Sequence, residues 1–168
     1  SSADGKHFEK TYTLSTARAI RDKLQQTGAR VFMTRDSDVI IPLLHIPRLT
    51  EKYQADAQIS IHFDHDGDEN NATSATGISQ YYYHNNGKQL TEALHQSLNQ
   101  LPLPNRGSDT AKYVVLDQVT RPATLLELGY INNPSDFKHI RTAVYQKEIA
   151  NAVTAGLQSY FKQTMERK

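Results

Sequence analysis

The chain of 168 residues contains no cysteine, which excludes disulfide frameworks, cysteine-rich zinc sites and thiol nucleophiles together. That composition fits an exported protein. Net charge is almost absent as well: 19 Lys and Arg stand against 18 Asp and Glu, leaving +1. Broad electrostatic capture of nucleic acid or of an anionic membrane is therefore excluded, and any partner must be recognised by local chemistry. No apolar run approaches the ~20 residues of a membrane span. Repeats and low-complexity linkers are missing, and the first ten residues, SSADGKHFEK, have none of the features of a signal peptide. The chain begins with Ser rather than Met, so the natural N-terminus, with any signal or anchor, is expected upstream. Its length suits one domain with a substantial core, spanning 1–168.

What is present is an alternation of helical and strand patterns. Leu14, Ala17, Ile20 and Leu24 share a helical face that Gly28 ends, and ARVFMTR (29–35) follows as a strand. VIIPLLHIP (39–47), with two prolines, predicts an irregular connection into a short helix over 48–55. Ile59 and Ile61 alternate with Ser60 and His62 as a strand. A polar loop at 65–77 leads to a second strand, ISQYYYH (78–84). Leu90, Leu94, Leu98 and Leu101 predict a helix over 88–101, broken by PLPNRG. KYVVL (112–116) and ATLLEL (123–128) read as strands, and a closing helix starts near Thr142 with Tyr145, Ile149, Val153 and Tyr160 inward. The fold class is α/β: a mixed, mostly parallel β-sheet flanked by helices on both faces, a three-layer α/β/α arrangement.

Two polar residues interrupt apolar strands. Sites in open α/β sheets lie beyond the carboxyl ends of strands, and there stand His62, after ISI, and Glu127, after ATLL. A carboxylate in strand core is costly unless paired or bound to a cation. Each has a plainer alternative: a lone strand-end histidine is more often a satisfied structural residue, and Glu127 has ion-pair candidates in Arg106 and Arg121. Asp64, His65, Asp66 and Asp68 do not form a calcium loop, because an EF-hand starting at Asp64 needs glutamate where Ala75 stands. They are assigned to a solvated loop. Tyr81, Tyr82 and Tyr83 fit a strand with one buried face, with stacking on a sugar as the functional alternative. His84, His95 and His139 show no ligand spacing.

Four motifs occur in order: EKTYTLSTARAIRDKLQQTGARVFMTRDSD, ADAQISIHFD, NRG and PATLLELGYINNPSDF. Together they resemble the zinc-dependent N-acetylmuramoyl-L-alanine amidases of the cell-wall hydrolase type, over essentially the whole chain. The resemblance implies zinc ligation by Glu9 and His62 and an acid/base role for Glu127. It also implies a third ligand, a histidine in a Gly-His-Gly-Gly-type segment upstream of Ser1, so that residues 1–168 form an N-terminally incomplete catalytic domain. Glu9 alone would otherwise be a first-turn glutamate favouring the helix dipole by a few tenths of a kcal/mol. Asp64 falls where the family has a polar residue that supports the ligands, and Phe63 is expected to narrow access to the metal.

The implied activity is hydrolysis of the amide between the lactyl group of N-acetylmuramic acid and L-alanine of the peptidoglycan stem. The implied partners are peptidoglycan and an activator protein, with no nucleic acid, for a monomer acting in the extracellular space, cell wall or periplasm. Two other classes stay open. One is a non-catalytic or partner-activated cell-wall-binding domain of the same fold. The other is a different zinc hydrolase using His62, Asp64 and His65.

Overall fold

The apolar strands and leucine-faced helices assemble, in a computed structural model that describes residues 1–67 and 71–166, around one sheet. The elements are α1 (Glu9–Gln25), α2 (His45–Lys52), β1 (Gln58–Asp64), β2 (Ile78–Tyr82), α3 (Asn85–Leu98), β3 (Asn105–Thr110), α4 (Val114–Asp117), β4 (Ala123–Tyr130), α5 (Pro134–Ile140) and α6 (Ala143–Glu166). The strand order is β1-β4-β2-β3. β1 runs parallel to β4 and β2 parallel to β3, while β2 and β4 are antiparallel. The sheet is mixed and mostly parallel, as expected.

Strand alternation divides the buried residues between two faces. Phe63, Ile78, Leu126 and Leu128 meet Leu90, Leu94 and Leu98 of α3, Ile149 and Val153 of α6 and Ile20 of α1. The helices α3 and α6 approach closely because Gly156 has no side chain: a Cβ there would lie 2.6 Å from Ser97 Oγ and 2.9 Å from Leu94 Cδ2. On the opposite face a smaller cluster of Val115, Leu116, Val119, Ala123 and Leu125 packs with Ile46 of α2 and with Tyr81 and Tyr83. This second face is only partly covered, and it carries the polar residues of interest.

Four expectations are corrected. Residues 29–35 belong to no strand. A strand needs a hydrogen-bonded neighbour, and this segment is held by side chains instead: Phe32 stacks on Tyr53 with centroids 4.1 Å apart, and Arg35 donates to Lys10 O at 2.7 Å. KYVVL forms the short helix α4 rather than a strand. The Val115 carbonyl accepts from Gln58 Nε2 at 2.6 Å, and Val115 and Leu116 are buried against the sheet, so tertiary packing overrides β propensity. NRGSDT, placed in a break, is the edge strand β3. Phe63 lies on the leucine face, 2% exposed, because alternation turns it away from His62, so it does not narrow access to the site. The short helix expected over 48–55 begins earlier, at His45, and α5 was not foreseen. Of the 65–77 loop, residues 68–70, including Asp68, lie outside the described residues.

The carboxyl end of β4 is tied by a buried carboxylate. Asn133 caps α5, its side chain accepting from the N–H groups of Ser135 and Asp136, with Pro134 opening the helix. This places Asp136, which is fully buried, against the chain around it. Its Oδ2 accepts from the N–H groups of Gly77 (3.0 Å) and Tyr130 (2.9 Å), and its Oδ1 from Thr76 Oγ1 (2.6 Å). One side chain thus fixes the start of β2 and the end of β4. Asp136→Ala leaves these donors without their acceptor, at roughly 1–3 kcal/mol for each buried group. We expect a loss of about 3 kcal/mol or more in urea unfolding; a loss below about 1 kcal/mol would show that the donors find other partners.

Candidate active site

Residues directly opposite in a β-ladder project to the same side of the sheet. The β1–β4 pairing sets His62 against Glu127, and the β4–β2 pairing sets Glu127 against Ser79. These three therefore form a row on the partly covered face. Glu9 joins them from outside the sheet. It is the first residue of α1, which packs against β1, and its Oε1 lies 2.9 Å from His62 Nδ1 and accepts from the Phe63 N–H at 3.2 Å. The pair remains open to solvent, with side chains 42% (His62) and 38% (Glu9) exposed.

Charge in this row is unbalanced. Burial pushes the Glu127 carboxyl up to about 8, and the negative charges of Asp64 and Glu9 add to that against the opposing effect of His62. Its Oε2 is buried without a hydrogen-bond partner. Burial disfavours the charged form of Glu9 too, but the hydrogen bond and charge of His62, with the Phe63 N–H, outweigh it and hold Glu9 below its ordinary value. For His62, burial opposes the imidazolium, while the bond to Glu9 and the charges of Glu127, Glu9 and Asp64 carry its pKa above the ordinary one. Three carboxylates around one imidazole make a place that a cation would stabilise.

The donor chemistry of Glu9 and His62 suits zinc. Two N/O donors on a tetrahedral zinc, each about 2.0–2.1 Å from it, stand roughly 3.3 Å apart, so a separation of 2.9 Å needs to open by only a few tenths of an ångström. Among the described residues no three His, Cys, Asp or Glu side chains form a metal-holding group. Glu9 and His62 bring two such donor groups together, not three. His65 does not join them: its Nε2 is buried without a partner, and His62, Asp64 and His65 do not converge as a ligand triad.

The remaining candidates have other work. Arg121 lies 3.8 Å from Glu51, and Arg106 donates to the Tyr130 hydroxyl, so neither forms the ion pair considered for Glu127. Asp66 accepts from Thr73 Oγ1 at 3.0 Å within its loop. His84 lies against Asp117 O and His95 against Gln80 Oε1, at 2.9 and 2.8 Å, and His139 packs beside the Tyr145 ring. The Tyr130 hydroxyl that accepts from Arg106 has its pKa pushed up to about 12, first by burial and then by the negative charge of Asp64. Sequence reasoning missed this Arg106–Tyr130 contact beside Asp64. Its only sign was the arginine of NRG. Tyr81 and Tyr113 meet edge to face, centroids 5.7 Å apart, and Tyr113 feels the charge of Glu127. An aromatic wall therefore borders the row.

Comparison with known proteins gives this arrangement a context. The family model described as N-acetylmuramoyl-L-alanine amidase matches residues 1–159. The probable cell wall amidase LytH of Staphylococcus aureus is 37% identical over 157 residues, which are 93% of this chain and 51% of that protein. The chain thus spans about half the length of the curated relatives it matches. The catalytic domain of CwlV, an N-acetylmuramoyl-L-alanine amidase from Bacillus (Paenibacillus) polymyxa var. colistinus, superposes with a TM-score of 0.87 at 26% identity, over 94% of this chain and 87% of that one. An N-acetylmuramoyl-L-alanine amidase from Clostridium difficile 630 gives a TM-score of 0.86 at 28% identity, over 93% and 85%. With its sheet, its helices and nearly its whole length accounted for in this way, the chain belongs to the N-acetylmuramoyl-L-alanine amidase family.

Proposed function

We propose that this protein hydrolyses the amide bond joining the lactyl group of N-acetylmuramic acid to L-alanine of the peptidoglycan stem, using one zinc ion. Glu9 and His62 are two of the zinc's protein ligands, and a histidine from the segment that the family resemblance puts before Ser1 is the third. The observation that carries this reading is the placement of a buried carboxylate with a free oxygen, Glu127, directly opposite an imidazole that is already bonded to a second carboxylate. When bound, zinc polarises the scissile carbonyl and acidifies water.

The protein's own groups do the rest. Glu127 takes the proton from the attacking water as the new C–O bond forms, then delivers it to the stem's alanine nitrogen as the C–N bond breaks. A group that takes and gives a proton works best with a pKa near the operating pH. Burial and neighbouring carboxylates lift Glu127, a cation beside it draws it back, and the balance suits both halves of the task. The Phe63 N–H holds the Glu9 carboxylate in place beside His62. Tyr81 and Tyr113 offer ring faces to the sugar. The site of action is the cell wall, outside the cytoplasmic membrane. Among the described residues no helix is long and apolar enough to cross a membrane.

Purified peptidoglycan treated with the zinc-loaded protein should release peptides with free L-alanyl N-termini, read by mass spectrometry. New reducing sugar ends or cuts inside the stem, with no free L-alanine terminus, would reject the reading. His62→Ala and Glu9→Ala should each lower zinc content and turnover together. The loss should exceed the ~10–100-fold typical of losing an outer partner of a ligand. Full zinc content in either variant would mean that the ligand set is different.

A further inference from the structure

Among the described residues, Arg106 is the one Lys or Arg within the four strands, and it stands beside this acidic row. Ile78 pairs with Asn105 and Gln80 with Ser108, so Ser79, itself opposite Glu127, stands against Arg106 and Gly107 at a bulge in β3. The arginine stem passes over Gly77, where a Cβ would lie 3.3 Å from Arg106 Cγ and 2.4 Å from Pro104 O. Gly77 also has φ +101, so a side chain there is excluded twice. The guanidinium then reaches the end of β4, donating through Nη1 to the Tyr130 hydroxyl with its central carbon 5.5 Å from the ring centroid. The negative charge of Asp64 is felt by Tyr130 and by both His62 and Glu127.

That anchoring fixes the head without using it up. Arg106 makes no ion pair among the described residues and is exposed. One N–H goes to a neutral hydroxyl and the other donors of the fork are left for a ligand, in the planar geometry that matches a carboxylate. These unused donors give a substrate carboxylate a matching partner beside the row.

We infer that Arg106 selects substrate by binding the α-carboxylate of the stem's second residue, a D-glutamate linked through its side-chain carboxyl. This rests on the amidase reading above. Two spacings agree. The guanidinium lies against Tyr130, three residues beyond Glu127 on β4, which is about 10 Å along the strand at ~3.3 Å per residue. From the scissile carbonyl, two residues of extended peptide at ~3.3–3.6 Å each, plus the carboxyl group itself, span about 8–9 Å, a distance of the same order. Amidation of the α-carboxyl, which turns an acceptor-only anion into a neutral amide that also carries N–H donors, removes the match.

The test uses two N-acetylmuramoyl peptides that differ only in carrying carboxylate or carboxamide at that position, with binding measured by calorimetry and cleavage followed in parallel. The wild-type protein should bind the carboxylate form about tenfold more tightly, as for one hydrogen-bonded charge pair. Arg106→Gln should bring the ratio to within about twofold, and Arg106→Lys should retain part of the preference. A wild-type ratio already within twofold, or a tenfold ratio that survives Arg106→Gln, overturns the inference. Equal binding with cleavage of both peptides leaves the amidase reading intact. Binding of neither peptide rejects that reading, and the role of Arg106 falls with it.

Discussion

β1 and β4 run parallel and pair residue for residue from Gln58 and Ala123 to His62 and Glu127, and everything at the site depends on that register. A slip of one residue would turn Glu127 into the leucine-rich layer under α3 and α6 and bring Leu126 or Leu128 beside His62. The core prevents the slip. Leu126 and Leu128 are both fully buried on the far face, so each polar position on the open face is held by apolar neighbours in sequence that cannot be exposed without losing their burial. Packing on one side of the sheet thus aligns chemistry on the other.

The same separation explains the charge pattern. The face that collects Glu9, His62 and Glu127 is covered only by α2, α4 and a few tyrosines, and its acidic groups have one imidazole and one anchored arginine among them. An unpaired, buried carboxylate oxygen is expensive in a finished fold, and here it sits within a largely apolar strand. Proteins retain such groups where a ligand or a reacting proton compensates. At the same end of the sheet, Asp136 locks the backbone of Gly77 and Tyr130, and these are the residues over and against which Arg106 is laid.

Much of this could be read from the residues themselves. His62 and Glu127 stood out because polar groups followed β-branched or leucine runs, and the structure brings them opposite one another. Helix positions followed the leucine spacing. The failures have common causes. β3 carries NRGSDT, an exposed edge with no apolar alternation to betray it. KYVVL has β-branched residues but is too short to outvote its burial and the Gln58 contact. Residues 29–35 have strand composition without a strand beside them, and composition alone cannot supply the hydrogen-bond partner. Asn133, Pro134 and Asp136 gave a helix-start signature that was overlooked. The Arg106–Tyr130 contact joins residues far apart in sequence, and no local pattern reveals it.

We propose a division of labour in which Glu9 and His62 hold the metal and Glu127 moves protons. Glu127→Gln keeps the side chain's size and hydrogen-bonding reach and removes only the base, so zinc content and turnover, measured on the same preparation, separate the two roles. Zinc should stay at the wild-type level while release of L-alanyl peptides falls by about 10²–10⁴-fold. Parallel loss of zinc and turnover would make Glu127 a ligand or a structural residue, and turnover within a few fold of wild type would mean that another group carries the proton.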